Sequence, residues 1–250
     1  MAGSATSPTG RSIPTNCHRS VGIIFDGDDT LWWSERLYDD ARSRARHIVE
    51  KSGLDGAEWE RRERVLDVQN VARFWFSLQR FPTSCVEAYG ELCKVKGQRI
   101  DASVAEQIRN TAESAFTGEA RIVAGAKTVL TRLRSRGVRL ALLTKGDPEL
   151  QARRIEQSGL AKFFHVIRIV PEKSPDVIRE VVAALGVDTR CAWMVGNSMR
   201  SDILPAVEAG VRAVRIPAHV WEHERTHDYI SSEGVTVISS LAQIPKLIAR

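Results

Sequence analysis

The chain has 250 residues, 43% of them hydrophobic, so it can bury the core of one large domain or two small ones. Its 36 basic and 31 acidic residues leave a net charge of +5, with no basic block of the kind that nucleic-acid-binding proteins carry. No apolar run reaches the roughly 18 to 20 residues of a membrane span. We therefore expect a globular cytoplasmic protein whose partners include neither nucleic acid nor membrane.

The first segment, residues 1–20, is rich in Ser and Thr and contains no acidic residue. It lacks the apolar stretch of a secretory signal, although its composition is weakly similar to that of an organelle transit peptide. We interpret it as a disordered leader.

An apolar run follows, from Val21 to Phe25, and it ends in two carboxylates that are two residues apart, Asp26 and Asp28. Alternate side chains of an extended strand share a face, so both carboxylates can lie in one small volume, and such a pair needs a cation or a shared proton. A strand of this kind typically lies in a parallel sheet with a ligand site at its carboxyl end. The alternative is an acidic loop that caps a helix through Asp29 or Thr30.

Residues 34–117 have a different pattern, with apolar residues at helical spacing and no convincing strand, which predicts an all-helical insert. A break at Phe81–Ser84 separates the early helices from one predicted at Cys85–Val95. Two amphipathic helices are predicted before this break, with apolar stripes at Leu37, Ala41, Ala45 and Ile48 and at Val65, Val68, Val71 and Trp75.

From residue 118 onward predicted helices and strands alternate. This alternation indicates an α/β fold with a parallel sheet, which together with residues 21–33 forms the predicted core. The predicted strands cover 138–143, 166–170, 192–195, 211–216 and 235–238. The predicted helices cover 126–135, 150–158, 175–185 and 203–209, with a last helix ending at Arg250.

Polar groups follow three of these later strands, as Thr144-Lys145-Gly146, as Lys173, and as the stretch Gly196 to Asp202. Because the carboxyl ends of strands in a doubly wound sheet meet at one crevice, these groups are expected to lie around the same cavity as the first two carboxylates. The combination of carboxylates, a hydroxyl and ammonium groups suits a phosphoryl group.

The motifs resemble those of the haloacid dehalogenase superfamily, specifically its aspartate-nucleophile phosphatases with a helical cap inserted after the first motif. The first motif, DxDxT, falls on Asp26, Asp28 and Thr30, the second on Thr144, the third on Lys173 and the fourth on Gly196 to Asp202. The resemblance implies a Rossmann-like doubly wound core, here residues 21–33 and 118–250, with a cap at 34–117.

The resemblance also implies the role of each site residue. Asp26 is the expected nucleophile, Asp28 the general acid and base, and Lys173 the cation that holds Asp26 ionised. The expected phosphate-binding residues are Gly27, Thr144 and Lys173, with Lys145 either a second cation over the phosphate or a solvent-exposed residue. The implied Mg²⁺ takes its expected ligands from Asp26, Asp28, Asn197 and Asp202.

One position departs from the family pattern, because Asn197 stands where the fourth motif usually has Asp. An amide oxygen binds Mg²⁺ without adding charge, so Asn197 and Asp202 both remain candidate ligands. Haloacid dehalogenases also have Asn near this position, but they use no metal and lack the second acid of the first motif, so Asp28 argues against dehalogenation. A zinc site at His223 and His227 is a minor alternative.

We interpret the chain as a Mg²⁺-dependent hydrolase of small phosphorylated metabolites that forms an aspartyl-phosphate, as a monomer or homodimer. The alternatives are a phosphomutase of the same superfamily, a haloacid dehalogenase, and a catalytically weak regulatory or binding protein. The insert is expected to select the substrate, with candidate residues near its break at Arg73, Trp75, Gln79, Arg80 and Thr83.

Overall fold

The computed structural model describes residues 20–218, 221–224 and 234–248. Nearly all of the predicted leader, residues 1–19, therefore lies outside the described residues, as does Arg250, where the last helix was predicted to end. Within the described ranges, no helix combines the length and the apolar character needed to cross a membrane.

The core of the fold is a sheet of six parallel strands. In chain order these are β1 (Gly22–Phe25), β4 (Arg139–Lys145), β5 (Val166–Val170), β6 (Ala192–Gly196), β7 (Arg212–Arg215) and β8 (Val235–Val237), and their spatial order is β5-β4-β1-β6-β7-β8. The chain winds outward from β1 in one direction and then, from β6, in the other, which is the Rossmann-like doubly wound arrangement. The predicted fold class is confirmed.

Helices connect these strands, and two of them begin with a side-chain cap. They are α6 (Ala126–Ser135), α7 (Pro148–Ser158), α8 (Pro175–Leu185), α9 (Leu204–Glu208) and α10 (Ile244–Leu247), with a π-helical turn at Met199–Ile203 before α9. Asp147 accepts hydrogen bonds from the first backbone N–H groups of α7, and Ser174 does the same for α8. Proline at the start of both helices costs nothing, because the first N–H groups have no partner within the helix.

The sheet is buried on both faces because successive strand residues alternate between two apolar clusters. In β1, Ile23 and Phe25 pack with α6 on one face, whereas Ile24 packs with α8 on the other. This double burial explains why the strands read as continuous apolar runs.

The insert lies between two short strands, β2 (Trp32–Trp33) and β3 (Arg121–Ile122), which pair antiparallel at its base. Its helices are α1 (Glu35–Lys51), α2 (Gly56–Gln69), α3 (Val71–Phe74), α4 (Arg80–Val95) and α5 (Ala102–Thr117). They enclose a separate apolar cluster around Trp59, Phe81 and Leu92. The helical content of the insert agrees with the prediction, whereas the strand pair at its base was not predicted.

The predicted apolar stripe of the second helix is wrong. Val65 is 57% exposed, Trp75 lies beyond the end of α3, and the buried face of α2 instead carries Trp59, Glu63 and Asp67 at four-residue spacing. This face is buried because its acids meet arginines, Glu63 pairing with Arg42 of α1 at 2.6 Å. Hydrophobic periodicity cannot detect a helix that buries ion pairs.

The predicted break at Phe81–Ser84 is also wrong, because α4 begins at Arg80 and runs through it. Pro82 lies in the first turn, where its missing N–H and fixed φ are compatible with a helix.

The Arg42–Glu63 pair generates a stability prediction. Both side chains are buried, at 2% and 0% exposure, so Arg42→Met leaves an uncompensated carboxylate inside the insert. We expect a loss of about 3 to 5 kcal/mol in the free energy of unfolding, measured by urea titration.

Arg46→Met is the matched control, because Arg46 lies on the same helix but is 41% exposed and pairs with Glu50 at the surface. Its effect is expected to be much smaller. The double variant Arg42→Met/Glu63→Leu should recover much of the loss; equal effects of Arg42→Met and Arg46→Met would contradict the assignment.

Candidate functional site

The candidate site lies at the carboxyl edge of the sheet, between β1 and β6. The winding direction reverses between these neighbouring strands, which leaves a crevice there. Asp26 continues β1 and its backbone N–H donates to the carbonyl of Val195 at 2.9 Å, while Asn197 continues β6. The two motifs that are 170 residues apart in the chain therefore meet at this edge.

The turn after Asp26 is built around the carbonyl of Gly27. This oxygen accepts backbone N–H groups from Thr30, Leu31 and Trp32. A Cβ at Gly27 would overlap the indole of Trp32 and approach the hydroxyl of Thr144 at 3.2 Å, so the position requires glycine.

Asp29 has the helix-capping role that the sequence left open. Its carboxylate accepts the backbone N–H groups of Ser34 and Glu35 and the Ser34 hydroxyl at 2.9 Å, at the start of α1. In this turn, therefore, Asp29 caps α1, while Asp26 and Asp28 make other contacts.

Lys173 joins the first and fourth motifs. Its buried ammonium contacts the carboxylate of Asp26 and donates to Asp202 Oδ1 at 2.7 Å. Burial and the negative charge of Asp202 raise the pKa of Asp26 to about 8, against the attraction of Lys173. Burial alone would lower the pKa of Lys173, but its two carboxylate partners outweigh it and raise that pKa.

Asp28 is held by three donors that sequence reasoning missed in this role. The indole N–H of Trp32 donates to Oδ1 at 2.7 Å, the amide of Gln151 donates to Oδ2 at 2.7 Å, and Arg154 contacts both oxygens at 3.1 Å. Gln151 and Arg154 lie three residues apart on α7, directly after the second motif. Their helical spacing beside that motif is the signal that could have identified them.

The second motif shares this network. Thr144 is fully buried and its hydroxyl donates to Gln151 Oε1 at 3.2 Å. Lys145 does not stand alone over the site, because its ammonium pairs with Glu224 and donates to Ser201 Oγ at 2.7 Å. Sequence reasoning did not identify Glu224, which lies 79 residues from Lys145 along the chain.

The fourth motif forms a tight turn before the π-helical segment. Asp202 Oδ2 accepts the backbone N–H of Ser198 at 3.0 Å, while Oδ1 contacts Lys173. A Cβ on Gly196 would overlap the Asp202 side chain, so this glycine is required for the close approach. The amide oxygen of Asn197 is 3.5 Å from the hydroxyl of Thr30.

Comparison with known proteins is consistent with this geometry. Residues 21–210 match the model of the family described as haloacid dehalogenase-like hydrolase. The chain belongs to this family.

Individual relatives in the haloacid dehalogenase-like family match in part. A phosphoserine phosphatase of Thermus thermophilus is 36% identical over 44% of this chain, and a glyceraldehyde 3-phosphate phosphatase of Pyrococcus abyssi is 35% identical over 38% of it. These matches span only 47% and 42% of the relatives' own lengths.

Solved structures support the fold over nearly the whole chain. A haloacid dehalogenase-like family hydrolase from Xanthomonas campestris superposes with a TM-score of 0.75 at 24% identity, covering 92% of this chain and 91% of that one. L-2-haloacid dehalogenase from Xanthobacter autotrophicus superposes with a TM-score of 0.56 at 17% identity, covering 92% and 98%.

In this family a DxDxT motif implies a bound Mg²⁺ ion, and the oxygen atoms at this site are suitable ligands for one. The carboxylates of Asp26 and Asp202 share one ammonium, so a second cation would relieve the repulsion that raises the pKa of Asp26. The carbonyl of Asp28 accepts no hydrogen bond from the described residues, and the amide oxygen of Asn197 has only the long contact to Thr30.

The described residues contain no cluster of three or more His, Cys, Asp or Glu side chains arranged to hold a metal, so a metal ion here would also need the amide and the carbonyl as ligands. In the zinc alternative, His223 packs against the Trp221 ring at 5.0 Å between centroids, whereas His227 lies outside the described residues.

Side chains from the insert close the cavity above the phosphoryl site. Of the insert residues proposed from sequence, Arg80 lines this cavity, and Trp75 lines a neighbouring one. Arg73 instead pairs with Glu87 at 2.7 Å, while Gln79 and Thr83 line neither cavity. The insert residues that sequence reasoning missed are Glu35, Tyr38, Arg42 and Asp67.

Glu35 differs from the other acids of the cavity because its carboxyl has no hydrogen bond or ion pair with the described residues. Burial raises its pKa to about 8, against the attraction of Arg42, and the charges of Asp29 and Asp39 add to the rise. The folded protein therefore keeps Glu35 protonated at pH values where the unfolded chain has lost the proton.

This pKa generates a pH-dependent prediction for Glu35→Gln. The wild type loses stability as pH rises from about 4.5 toward 8, because only the unfolded state releases the Glu35 proton in that range. Glutamine does not titrate, so the variant's advantage in the free energy of unfolding should be small at pH 5 and about 1 to 3 kcal/mol at pH 8, measured by urea titration.

Asp40→Asn is the control, since Asp40 is an exposed acid on the same helix. It should show no such growth between the two pH values. A Glu35→Gln effect of equal size at pH 5 and pH 8 would contradict the assigned environment.

Proposed function

We propose that the protein is a Mg²⁺-dependent phosphatase that hydrolyses monoesters of small phosphorylated metabolites through an aspartyl-phosphate. The observation that carries this proposal is the convergence of Asp26, Asp28, Lys173 and Asp202 on one cavity, with Thr144 buried behind it and bonded to Gln151 of its lining. The relatives' names add support, because they include phosphatases of phosphoserine, glyceraldehyde 3-phosphate, N-acylneuraminate 9-phosphate and phosphoglycolate. What these substrates share is a small organic phosphate.

Asp26 is the nucleophile in this proposal. One carboxylate oxygen attacks phosphorus, the bond to the alcohol oxygen breaks, and the phosphoryl group is held as an acyl phosphate until water releases it. The contact with Lys173 favours the ionised carboxylate that this attack requires.

Asp28 protonates the departing alcohol and then accepts a proton from the attacking water. A positioned acid and base of this kind is typically worth ~10²- to 10⁴-fold in rate. The same group is useless for displacing a halide, which leaves without a proton, so its presence favours phosphatase over dehalogenase chemistry.

The remaining groups bind the phosphoryl oxygens. Lys173 supplies an ammonium, and Thr144 would supply its hydroxyl by giving up the bond to Gln151. Gly27 would take part through its backbone, because the indole of Trp32 fills the space on its Cβ side. Lys145 acts from farther away, because Glu224 neutralises it.

The proposed ligands of Mg²⁺ are the carboxylate of Asp26, the carbonyl of Asp28, and Asn197 and Asp202. When bound, the ion screens the repulsion between the anionic nucleophile and the anionic substrate. With Asn197 in place of an acid, the carboxylates of Asp26 and Asp202 carry the ligand charge.

We further propose that residues 34–117 act as a cap over a core of residues 21–33 and 118–250. Its contacts with the core surround the cavity: the indole of Trp75 donates to the carbonyl of Pro171 at 3.3 Å, and Arg64 pairs with Glu222 at 3.2 Å. Closing these contacts would exclude water from the cavity before the attack on phosphorus.

Replacing the nucleophile tests the proposed function. Phosphate release from p-nitrophenyl phosphate and from a panel of metabolite phosphates should fall by at least about 10³-fold in Asp26→Asn, and wild-type activity should disappear in EDTA and return with Mg²⁺. Trapping of ³²P-labelled wild-type protein, absent from Asp26→Asn, checks the covalent step. Equal rates for the variant and the wild type would exclude the mechanism.

A phosphomutase is the second candidate, because the same acyl phosphate can pass to a sugar hydroxyl. It would isomerise sugar phosphates only in the presence of a bisphosphate activator, whereas the phosphatase releases inorganic phosphate without one. A catalytically weak binding protein would do neither.

The contacts of Asp28 give a separate prediction about positioning. Gln151→Ala removes a donor to Asp28, so protonation of a poor leaving group should suffer while the attack by Asp26 remains. We expect kcat for an alkyl phosphate to fall about 10- to 100-fold, with a much smaller change for p-nitrophenyl phosphate, whose leaving group needs no proton.

Arg154→Lys keeps the positive charge but loses the contact with both oxygens of Asp28, and it should show the same selectivity more weakly. Asp28→Asn removes the proposed acid itself, so its loss of kcat on the alkyl phosphate should be the largest of the three variants. Equal losses on both substrates would instead assign Gln151 to general stability of the site.

A further inference from the structure

Of the charged side chains that line the cavity, Glu35 is the one for which the described residues supply no hydrogen bond or ion pair. Each arginine of the lining already has a carboxylate partner: Arg42 pairs with Glu63 at 2.6 Å, Arg154 with Asp28 at 3.1 Å, and Arg80 with Asp67. Toward the phosphoryl site, Lys145 pairs with Glu224, and Lys173 pairs with Asp26 and Asp202. Among the described residues, no cation that lines the cavity lacks an anionic partner.

The acids of the cavity are also engaged, apart from Glu35. Asp29 accepts N–H groups at the start of α1, and Asp147 accepts those at the start of α7. Glu35 lines the same cavity as the nucleophile, yet no hydrogen bond or ion pair of its carboxyl exists within the described part of the chain. A half-buried carboxyl without a partner costs free energy unless a ligand or a proton neutralises it.

We infer that Glu35 binds a primary ammonium group on the leaving alcohol, so that the substrates are phosphomonoesters of amino alcohols or amino sugars. This inference rests on the proposed phosphatase function and names its substrate class. An ammonium would give Glu35 a cationic partner, whereas a carboxylate on the leaving group would find every cation that lines the cavity already paired. A hydroxyl could hydrogen-bond this carboxyl but would not neutralise its ionised form.

The position of Glu35 suits this role. It is the first residue of α1, directly after Ser34, and the backbone N–H groups of both residues are fixed on Asp29. The Glu35 backbone is therefore tied to the turn that also carries Asp26 and Asp28, which fixes its place relative to the reacting phosphoryl group. Tyr38, one helical turn later, lines the same cavity and packs its ring against Phe81 at 5.2 Å between centroids.

The raised pKa of Glu35 agrees with an unfilled cation site. Without a ligand, the carboxyl keeps its proton because burial opposes the charge, and a bound ammonium would favour the ionised form. The proton that leaves Glu35 on binding passes to solvent.

Matched substrate pairs that exchange an amine for a hydroxyl test the inference. The pairs are glucosamine 6-phosphate with glucose 6-phosphate, and phosphoethanolamine with 2-hydroxyethyl phosphate. For wild-type protein with Mg²⁺ we expect kcat/KM to favour the amine at least 10-fold in one pair or both. In Glu35→Gln this ratio should fall to about 1, and in Glu35→Asp it should be intermediate.

Asp40→Asn is the control variant, because it removes one exposed carboxylate from the same helix and should leave the ratio at the wild-type value. Thermal melts of each variant establish that the protein is folded. A ratio at or below 1 in both pairs, or an amine preference that survives in Glu35→Gln, overturns the inference.

Hydrolysis of p-nitrophenyl phosphate separates this failure from failure of the proposed function. That substrate has no amine, so Asp26-dependent activity on it supports the phosphatase whatever the amine ratio is. If no substrate is hydrolysed in an Asp26-dependent way, the proposed function is wrong and the inference fails with it.

Discussion

The structure of the site depends on one buried cation, the ammonium of Lys173. It contacts Asp26 beyond β1 and Asp202 beyond β6, and it reaches them from the loop between β5 and α8. Two carboxylates that contact the same ammonium lie close together, and they cannot both remain charged in a buried crevice without a positive partner. Lys173 therefore holds Asp26 and the fourth motif together, and the order of strands determines which segments it can join.

Placing Asp26 and Asp202 so close together is electrostatically unfavourable, as the pKa of Asp26 indicates. Even with Lys173 in place, burial and Asp202 keep the pKa of Asp26 raised to about 8, so the site without a further cation is electrostatically strained. Glycine at positions 27 and 196 permits the close approach that creates the strain, since a side chain at either would collide with Trp32 or Asp202. A cation bound beside these carboxylates would relieve their repulsion and so stabilise the folded protein.

Local sequence was a good guide to the core and a poor one to the insert. Strands such as Val166–Val170 and helices such as Pro175–Leu185 were predicted at their observed bounds, because apolar runs and caps are local signals. The buried face of α2 was missed because Glu63 is compatible with burial only through Arg42, a partner on another helix. Long-range pairing of this kind leaves no mark in periodicity.

The same limit of local sequence signals explains which site residues could be predicted and which could not. Asp26 and Lys173 stand in motifs at strand ends, so their meeting followed from topology, although their catalytic roles remain proposals. Gln151 and Glu224 were missed because each acts by contacting another side chain, Gln151 joining Asp28 to Thr144 and Glu224 pairing with Lys145.

The division between core and insert also divides the chemistry. Groups that would treat every phosphomonoester alike come from strand ends, whose positions the sheet fixes within narrow limits. Groups that would distinguish one alcohol from another come from α1, α2 and α4, where arginines of α1 and α4 pair with acids of α2. Paired charges give a wall with directional hydrogen bonds but little net attraction, so a single unpaired group has a large effect on which leaving group is accepted. On the proposed function, a change in which of these residues is left unpaired would change the preferred alcohol while the strand ends stay the same.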